Sequence, residues 1–92
     1  MAQVIITFKI MPTSPDENLE IIKEHALKKI AKFTGNTETR VKIEPIAFGL
    51  CSLNIICISD EKKGGTDSLE EDIKQIPGVN SVEVIDVRRA MG

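Results

Sequence analysis

The chain begins with alternating hydrophobic and polar positions. Val4, Ile6, Phe8 and Ile10 occupy every second position before Pro12. A period of two is typical of a strand with one buried face, and a proline often ends such a strand. The first segment is therefore predicted to be a half-buried β-strand that ends at Pro12.

The next segment has the spacing of an amphipathic helix. Its apolar residues recur every three or four positions, and they are Leu19, Ile22, Ala26, Ile30 and Phe33. This spacing places them on one helix face. Ser14 is predicted to cap the helix, with Pro15 at the first helical position and Glu17 completing a capping box. The helix is expected to end before Gly35.

Two more strands are predicted in the middle of the chain. Residues 40–44 alternate again, which predicts a strand with Val41 and Ile43 directed inward. Pro45 disfavours continuation of this segment as a central strand. The longest apolar run, residues 50–59, is rich in β-branched residues and is expected in the middle of the sheet.

The last third of the chain predicts a short helix and a final strand. Thr66 or Asp67 is suited to cap the helix, and Pro77-Gly78 to end it. Its buried side is predicted to consist of Leu69, Ile73 and Ile76. Residues 79–87 then form the last strand. The full order predicts an α+β fold, a ferredoxin-like βαββαβ sandwich with a four-stranded antiparallel sheet and two helices on one face.

Composition limits the size of the fold and the class of partner. With 92 residues, 41% hydrophobic and 28% charged, residues 1–92 are expected to form a single domain with one core. The net charge of -2 and the three aromatic residues do not favour direct binding of nucleic acid. Neither a signal peptide nor a membrane-spanning run is evident, so we expect a cytoplasmic protein without membrane contact.

The reactive side chains do not form a pattern that predicts an enzyme, a cofactor or a metal site. His25 has no second ligand at a metal-binding spacing. Cys51 and Cys57 are about 20 Å apart if they lie on one strand, which is beyond disulfide reach. Gly64-Gly65-Thr66 lacks the lysine of a phosphate-binding loop. Covalent catalysis is therefore not expected.

Two features instead predict a surface for another molecule. Phe48 lies in a predicted turn between Ala47 and Gly49, and the glycine permits a sharp turn that directs the ring outward. The adjacent Arg88 and Arg89, near the chain end, can bind acidic groups through charge-assisted hydrogen bonds. The alternatives are that Phe48 closes one end of the core and that the arginines form a solubilising tail.

Five stretches in order resemble the guanine-nucleotide exchange domain of translation elongation factor 1-beta, in its short archaeal form. The stretches are Ile10-Met11-Pro12 followed by Ser14-Pro15-Asp16, Pro45 to Leu50, Gly64-Gly65-Thr66, Pro77-Gly78-Val79, and Asp86-Val87-Arg88-Arg89. The likeness extends from Val4 to the C-terminus.

This resemblance implies a translation factor that promotes GDP release from the GTPase elongation factor 1-alpha without covalent chemistry. The factor would insert side chains near the nucleotide and its Mg²⁺. Phe48 would enter the partner, and Ala47 and Gly49 would shape the turn. A near-terminal lysine of the eukaryotic relatives approaches the magnesium region, whereas this chain offers Arg88 or Arg89 there. The free domain is expected to be a monomer.

Two other functions share the predicted order of elements. One is a small-ligand regulatory domain of the ACT type, which usually has a glycine in the turn after the first strand. Residues 11–16 contain no glycine. The other is an RNA-binding module, which would need exposed aromatic residues on the central strands. Residues 50–59 contain none.

Overall fold

The computed structural model describes residues 3–35, 38–60 and 65–90. The elements are β1 (Gln3–Pro12), α1 (Leu19–Thr34), β2 (Thr39–Ala47), β3 (Leu50–Asp60), α2 (Asp67–Lys74) and β4 (Val79–Ala90). The strands form one antiparallel sheet in the order β2-β3-β1-β4. The predicted ferredoxin-like βαββαβ plan is confirmed.

The core lies between the sheet and the helices. On β1 the predicted alternation is confirmed, because Ile6, Phe8 and Ile10 are buried. Helix α1 packs on β3, and helix α2 packs on β4. The other core side chains are Ile22, Ala26, Ile30, Leu53, Ile55, Cys57, Leu69, Ile73, Ile76 and Val79. Together they form one core between the two helices and the helix-facing side of the central strands.

The predicted start of the first helix is wrong. The helix begins at Leu19, and the Asn18 side chain accepts hydrogen bonds from the backbone N–H groups of Glu20 and Ile21. Ser14 instead forms a local turn, in which its hydroxyl accepts a hydrogen bond from the Asp16 N–H. Since Asn18 already satisfies the free N–H groups of the first turn, the capping box has no helix end to cap.

The C-terminal end of α1 and the start of α2 agree better with the sequence-based prediction. Helix α1 stops at Gly35, whose φ of 82° is the left-handed conformation that suits a glycine cap. Thr66 precedes α2 but its side chain forms no capping hydrogen bond. The neighbouring Gly64 lies outside the described residues.

Strand β2 is an edge strand, and its inward side chains are not covered. Val41 and Ile43 lie opposite the core residues Ile55 and Leu53, so they are on the face that carries the helices. Their side chains are nevertheless 37% and 46% exposed. The predicted inward direction is therefore confirmed, but the two side chains are not buried, because α1 packs on β3.

Strand β4 is longer than the sequence predicts. It continues beyond Val87 to Ala90, and its last residues pair with the first residues of β1. Arg88 and Arg89 are thus part of the sheet and do not form a tail. The reason is that β1 begins at Gln3, so its backbone offers partners to the end of β4.

Candidate partner-binding site

The turn between β2 and β3 presents a phenylalanine to solvent. Ala47 pairs with Leu50, which leaves Phe48 and Gly49 as the two residues of the hairpin turn. Both have positive φ, 54° for Phe48 and 79° for Gly49. Positive φ at both positions is the pattern of a type I′ hairpin, whose twist suits antiparallel strands. The Phe48 side chain is 97% exposed.

Folding gains nothing from a phenylalanine at this position. Asparagine, aspartate and glycine are the residues that favour this turn, whereas a bulky residue at positive φ costs about 1–2 kcal/mol. A ring that is 97% exposed also contributes no buried area to the core. The alternative that Phe48 closes the end of the core is therefore wrong.

Two other connections lie at the same end of the sheet. A Cβ atom on Gly49 would contact the Pro15 Cβ at 3.7 Å, so the β1–α1 connection supports the turn. The Thr13 N–H donates to the Gly78 carbonyl over 2.9 Å, which ties that connection to the turn before β4. Three of the five stretches that carry the sequence resemblance therefore lie at the end of the sheet that carries the Phe48 turn.

The backbone at Gly78 lies close to the Glu17 side chain in this region. Gly78 has a φ of 93°, and a Cβ there would lie 2.5 Å from the Glu17 Oε2 atom. Glu17 Oε1 accepts a hydrogen bond from the Thr13 hydroxyl over 3.2 Å. Glu17 thus bonds within the β1–α1 connection and lies close to Gly78, and it does not form the predicted capping box.

The two arginines lie on opposite faces of the sheet. Arg88 pairs with Ile5, and Arg89 pairs with Val4. Successive strand residues point to opposite faces, so Arg88 is on the face without helices and Arg89 is on the helix face. Arg88 Nε also forms an ion pair with Asp86 Oδ2 over 2.9 Å. The two guanidinium groups therefore cannot hold one acidic group from the same side.

Phe48 and the arginines lie at opposite ends of the sheet. Leu53 pairs with Ile10, so the Phe48 turn lies beyond the C-terminal end of β1, whereas Arg89 pairs with Val4 near its beginning. Along β3, Leu50 directly follows the turn and Ser59 pairs with Val4. These two residues are nine positions apart, which corresponds to about 30 Å along a strand. The described residues extend 42 Å along their longest axis. The structure keeps Ala47, Phe48 and Gly49 together and separates them from the arginines.

The sequence pattern did not predict the exposed hydrophobic residues beside the turn. Ile46 lies at an irregularity in the pairing of β2 with β3 and is 47% exposed. We call the three exposed hydrophobic residues of this strand the β2 strip, defined as Val41, Ile43 and Ile46. The alternation of residues 40–44 indicated two faces. It could not indicate that the apolar face lacks a covering helix.

The face without helices does not resemble a nucleic-acid platform. Its side chains on the central strands β1 and β3 are Ile5, Thr7, Lys9, Met11, Ser52, Asn54, Ile56 and Ile58. Phe8, the aromatic residue of these two strands, is on the other face and fully buried. Stacking of bases needs exposed rings, so this surface does not favour the RNA-binding alternative.

The described residues offer little for catalysis or metal binding. Burial raises the pKa of the Cys57 thiol from 9.0 to about 11, which keeps it protonated and unreactive near neutral pH. Within residues 3–35, 38–60 and 65–90, there is no group of three or more His, Cys, Asp or Glu side chains placed to hold a metal ion. The same ranges contain no helix long and apolar enough to cross a membrane.

Comparison with known families shows to which family this chain belongs. Residues 5–90 match the model of the EF-1 guanine nucleotide exchange domain. The chain belongs to this family. It is thereby a member of the translation elongation factors, and the matched range includes the Phe48 turn and both arginines.

Archaeal relatives are similar over nearly their whole length. Elongation factor 1-beta of Methanothermobacter thermautotrophicus is 42% identical over 91 residues, which cover 99% of this chain and 100% of the relative. Elongation factor 1-beta of Methanobrevibacter smithii is 44% identical over 94 aligned residues, with the same coverage. The resemblance predicted from the five stretches is confirmed.

Solved structures that are similar to this one share its fold. A designed protein called Foldit4 superimposes with a TM-score of 0.63 at 17% identity, covering 98% of both chains. The ACT domain of a GTP pyrophosphokinase from Chlorobium tepidum gives a TM-score of 0.56 at 20% identity, covering 90% of this chain and 99% of that one. At these identities the likeness is one of fold alone.

Proposed function

We propose that this domain promotes GDP release from elongation factor 1-alpha and that Phe48 inserts into that GTPase. The observation that carries the proposal is a phenylalanine that is 97% exposed and held at positive φ. Burial of this ring in an apolar pocket would stabilise the complex by about 1.5–3 kcal/mol. That gain offsets the backbone strain at Phe48, which does not stabilise the free domain.

The shape of the turn favours insertion. Phe48 is at the tip of a two-residue hairpin, flanked by Ala47 and Gly49 and supported by Pro15. Such a short connection presents the ring in a nearly fixed position, so little conformational freedom is lost on binding. Ala47 and Gly49 shape the turn and leave room for the partner around the ring.

Exchange requires no bond to be made or broken by this domain. If the domain binds best to the partner conformation that holds GDP weakly, linkage requires that GDP binding weakens when the domain is bound. We therefore assign no catalytic residue and no cofactor. The domain acts as a monomeric factor in the cytoplasm, and its partner is the GTPase.

A second contact is assigned to the far end of β4. The charge of Arg88 or Arg89 is suited to carboxylates or phosphates near the nucleotide. Since these residues lie on opposite faces, only one of them reaches a given acidic group. The distance of about 30 Å from the Phe48 turn means that the two contacts touch separate regions of the partner.

Release of a fluorescent GDP analogue from elongation factor 1-alpha tests the proposal. A substoichiometric amount of the domain is expected to accelerate release. Phe48→Ala is expected to lower this acceleration by about tenfold or more, which corresponds to at least 1.4 kcal/mol. Its thermal midpoint is expected to stay near that of the parent protein, because the ring is outside the core.

Ile21→Ala is the matched control. Ile21 is also a large exposed hydrophobic residue, 52% exposed, and it lies in the first turn of α1, outside the residues proposed to contact the partner. Its exchange activity should remain unchanged. Absence of acceleration by the folded parent protein would refute the exchange function. Normal activity of Phe48→Ala would refute only the role of the ring.

A further inference from the structure

We propose that elongation factor 1-alpha also packs against the β2 strip, so that its contact continues from Phe48 along the edge of the sheet. This inference rests on the proposed function and extends the site to Val41, Ile43 and Ile46. The strip would provide affinity and orientation, whereas the Phe48 ring would provide the insertion.

Exposed hydrophobic residues are concentrated in this segment. The large hydrophobic side chains that the structure shows as exposed are Ile21, Val41, Ile43, Ile46, Phe48, Ile85 and Val87. Four of them occur within the eight residues 41–48. Single exposed hydrophobic residues are normal, but four within eight residues of an edge strand and its turn are typical of an interaction surface.

The arrangement of β2 explains why the group stays exposed. Val41 and Ile43 lie on the helix face, and the intervening Arg40, Lys42 and Glu44 lie on the other face. This alternation is normal for a strand covered by a helix on one side. Here α1 packs on β3, so the apolar side of β2 has no helix over it. A partner can occupy this position.

The edge of β2 disfavours a second copy of the chain as the occupant. Pairing of two edge strands needs free N–H groups, and Pro45 has none. The charged Arg40, Lys42 and Glu44 on the same strand also oppose edge-to-edge association. Packing of a partner surface on the apolar side avoids both obstacles.

Continuity with the Phe48 turn identifies the GTPase as the occupant. Val41 and Phe48 are seven residues apart, or about 23 Å along an extended strand. Ile43 and Ile46 lie between them along the chain, Ile43 on the helix face and Ile46 at the irregularity in the pairing with β3. A partner pocket that receives the ring therefore lies beside the strip, and a binding anchor is commonly surrounded by such apolar contacts that exclude water.

Ile43→Thr tests the strip, with Ile85→Thr as the matched control. Ile43 is 46% exposed and Ile85 is 50% exposed, and each lies on an edge strand, β2 or β4. Threonine keeps the β-branched shape that strands favour. Ile43→Thr is expected to raise the concentration of domain needed for half-maximal GDP release by about tenfold. The maximal rate and the activity of Ile85→Thr should remain unchanged.

Val41→Thr provides an independent variant of nearly identical shape. It is expected to raise the half-maximal concentration by about threefold, since it replaces one methyl group with a hydroxyl group. Circular dichroism and thermal unfolding check that each variant is folded. If Ile43→Thr does not fold, the effect of Val41→Thr decides the question.

The outcomes separate the strip from the exchange function. No acceleration by the parent protein refutes the exchange function itself. Acceleration that requires Phe48 but is unaffected by Ile43→Thr and Val41→Thr refutes the strip alone. Sedimentation of the free domain addresses the other occupant: a dimer that Ile43→Thr dissociates would overturn the proposal in favour of a second copy.

Discussion

Phe48 combines a strained backbone with an exposed ring, and neither feature stabilises the free domain. Its φ of 54° is uncommon for a bulky residue, and its side chain is 97% exposed. Strained residues of this kind persist where the surrounding structure holds them and where function uses them. The turn is therefore a place where the free domain gives up stability for binding.

Phe48→Asn is predicted to separate stability from activity. The Asn-Gly pair is the favoured sequence for this turn, so the free energy of unfolding should rise by about 0.5–1 kcal/mol. For a domain of this size, that is a rise of a few degrees, about 2–8 °C, in the thermal midpoint. Exchange activity should fall as in Phe48→Ala. Calorimetry and GDP release measure the two effects on the same sample.

Gly49→Ala serves as the comparison. Space for a Cβ exists there, since the nearest atom would be 3.7 Å away on Pro15. However, its φ of 79° disfavours alanine, so this variant should lose stability. A lower thermal midpoint for Phe48→Asn would contradict the assignment of strain to the ring-bearing residue.

At the scale of the elements, local patterns predicted their type better than their ends. The capping-box pattern of Ser14 and Glu17 competed with Asn18, and Asn18 forms the cap. The choice depends on contacts outside the segment, because Thr13 and Pro15 approach the turns at Gly78 and Gly49. A capping rule that considers only neighbouring residues cannot include these contacts.

Asn18→Ala is predicted to destabilise the domain by about 1 kcal/mol, since the side chain satisfies two N–H groups of the first turn. Ser14→Ala removes one local turn hydrogen bond of 3.3 Å and should cost less than about 0.5 kcal/mol. Urea unfolding of both variants measures these values. A larger loss for Ser14→Ala than for Asn18→Ala would contradict the assignment of the cap to Asn18.

At the scale of the whole molecule, the order of elements was predictable but the coverage of the sheet was not. Each strand and helix has a clear period, so the βαββαβ plan followed from the sequence. Whether α1 covers β2 depends on long-range packing, and for this reason the sequence predicted the face of Val41 and Ile43 but not their exposure. The separation of Phe48 from Arg88 and Arg89 follows from the plan itself, because the β2–β3 turn and the end of β4 lie at opposite ends.

This separation predicts that the two ends contribute independently to exchange. A double-mutant cycle combines Phe48→Ala with the joint change Arg88→Ala and Arg89→Ala, and compares kcat/KM for GDP release. Sites more than about 10 Å apart usually add within about 0.5 kcal/mol, so the combined loss should be the sum of the two losses. The arginine effect should also weaken with added salt, since exposed charges are screened.

Pro15→Ala supplies a contrasting cycle within the same experiment. Pro15 lies against the turn, so its contribution depends on the ring that the turn presents. Once Phe48 is alanine, Pro15→Ala should cause little further loss, and these two changes should not add. A coupling above about 1 kcal/mol between Phe48 and the arginines would contradict separate contacts. It would instead mean that the two ends act on the partner through one shared conformational step.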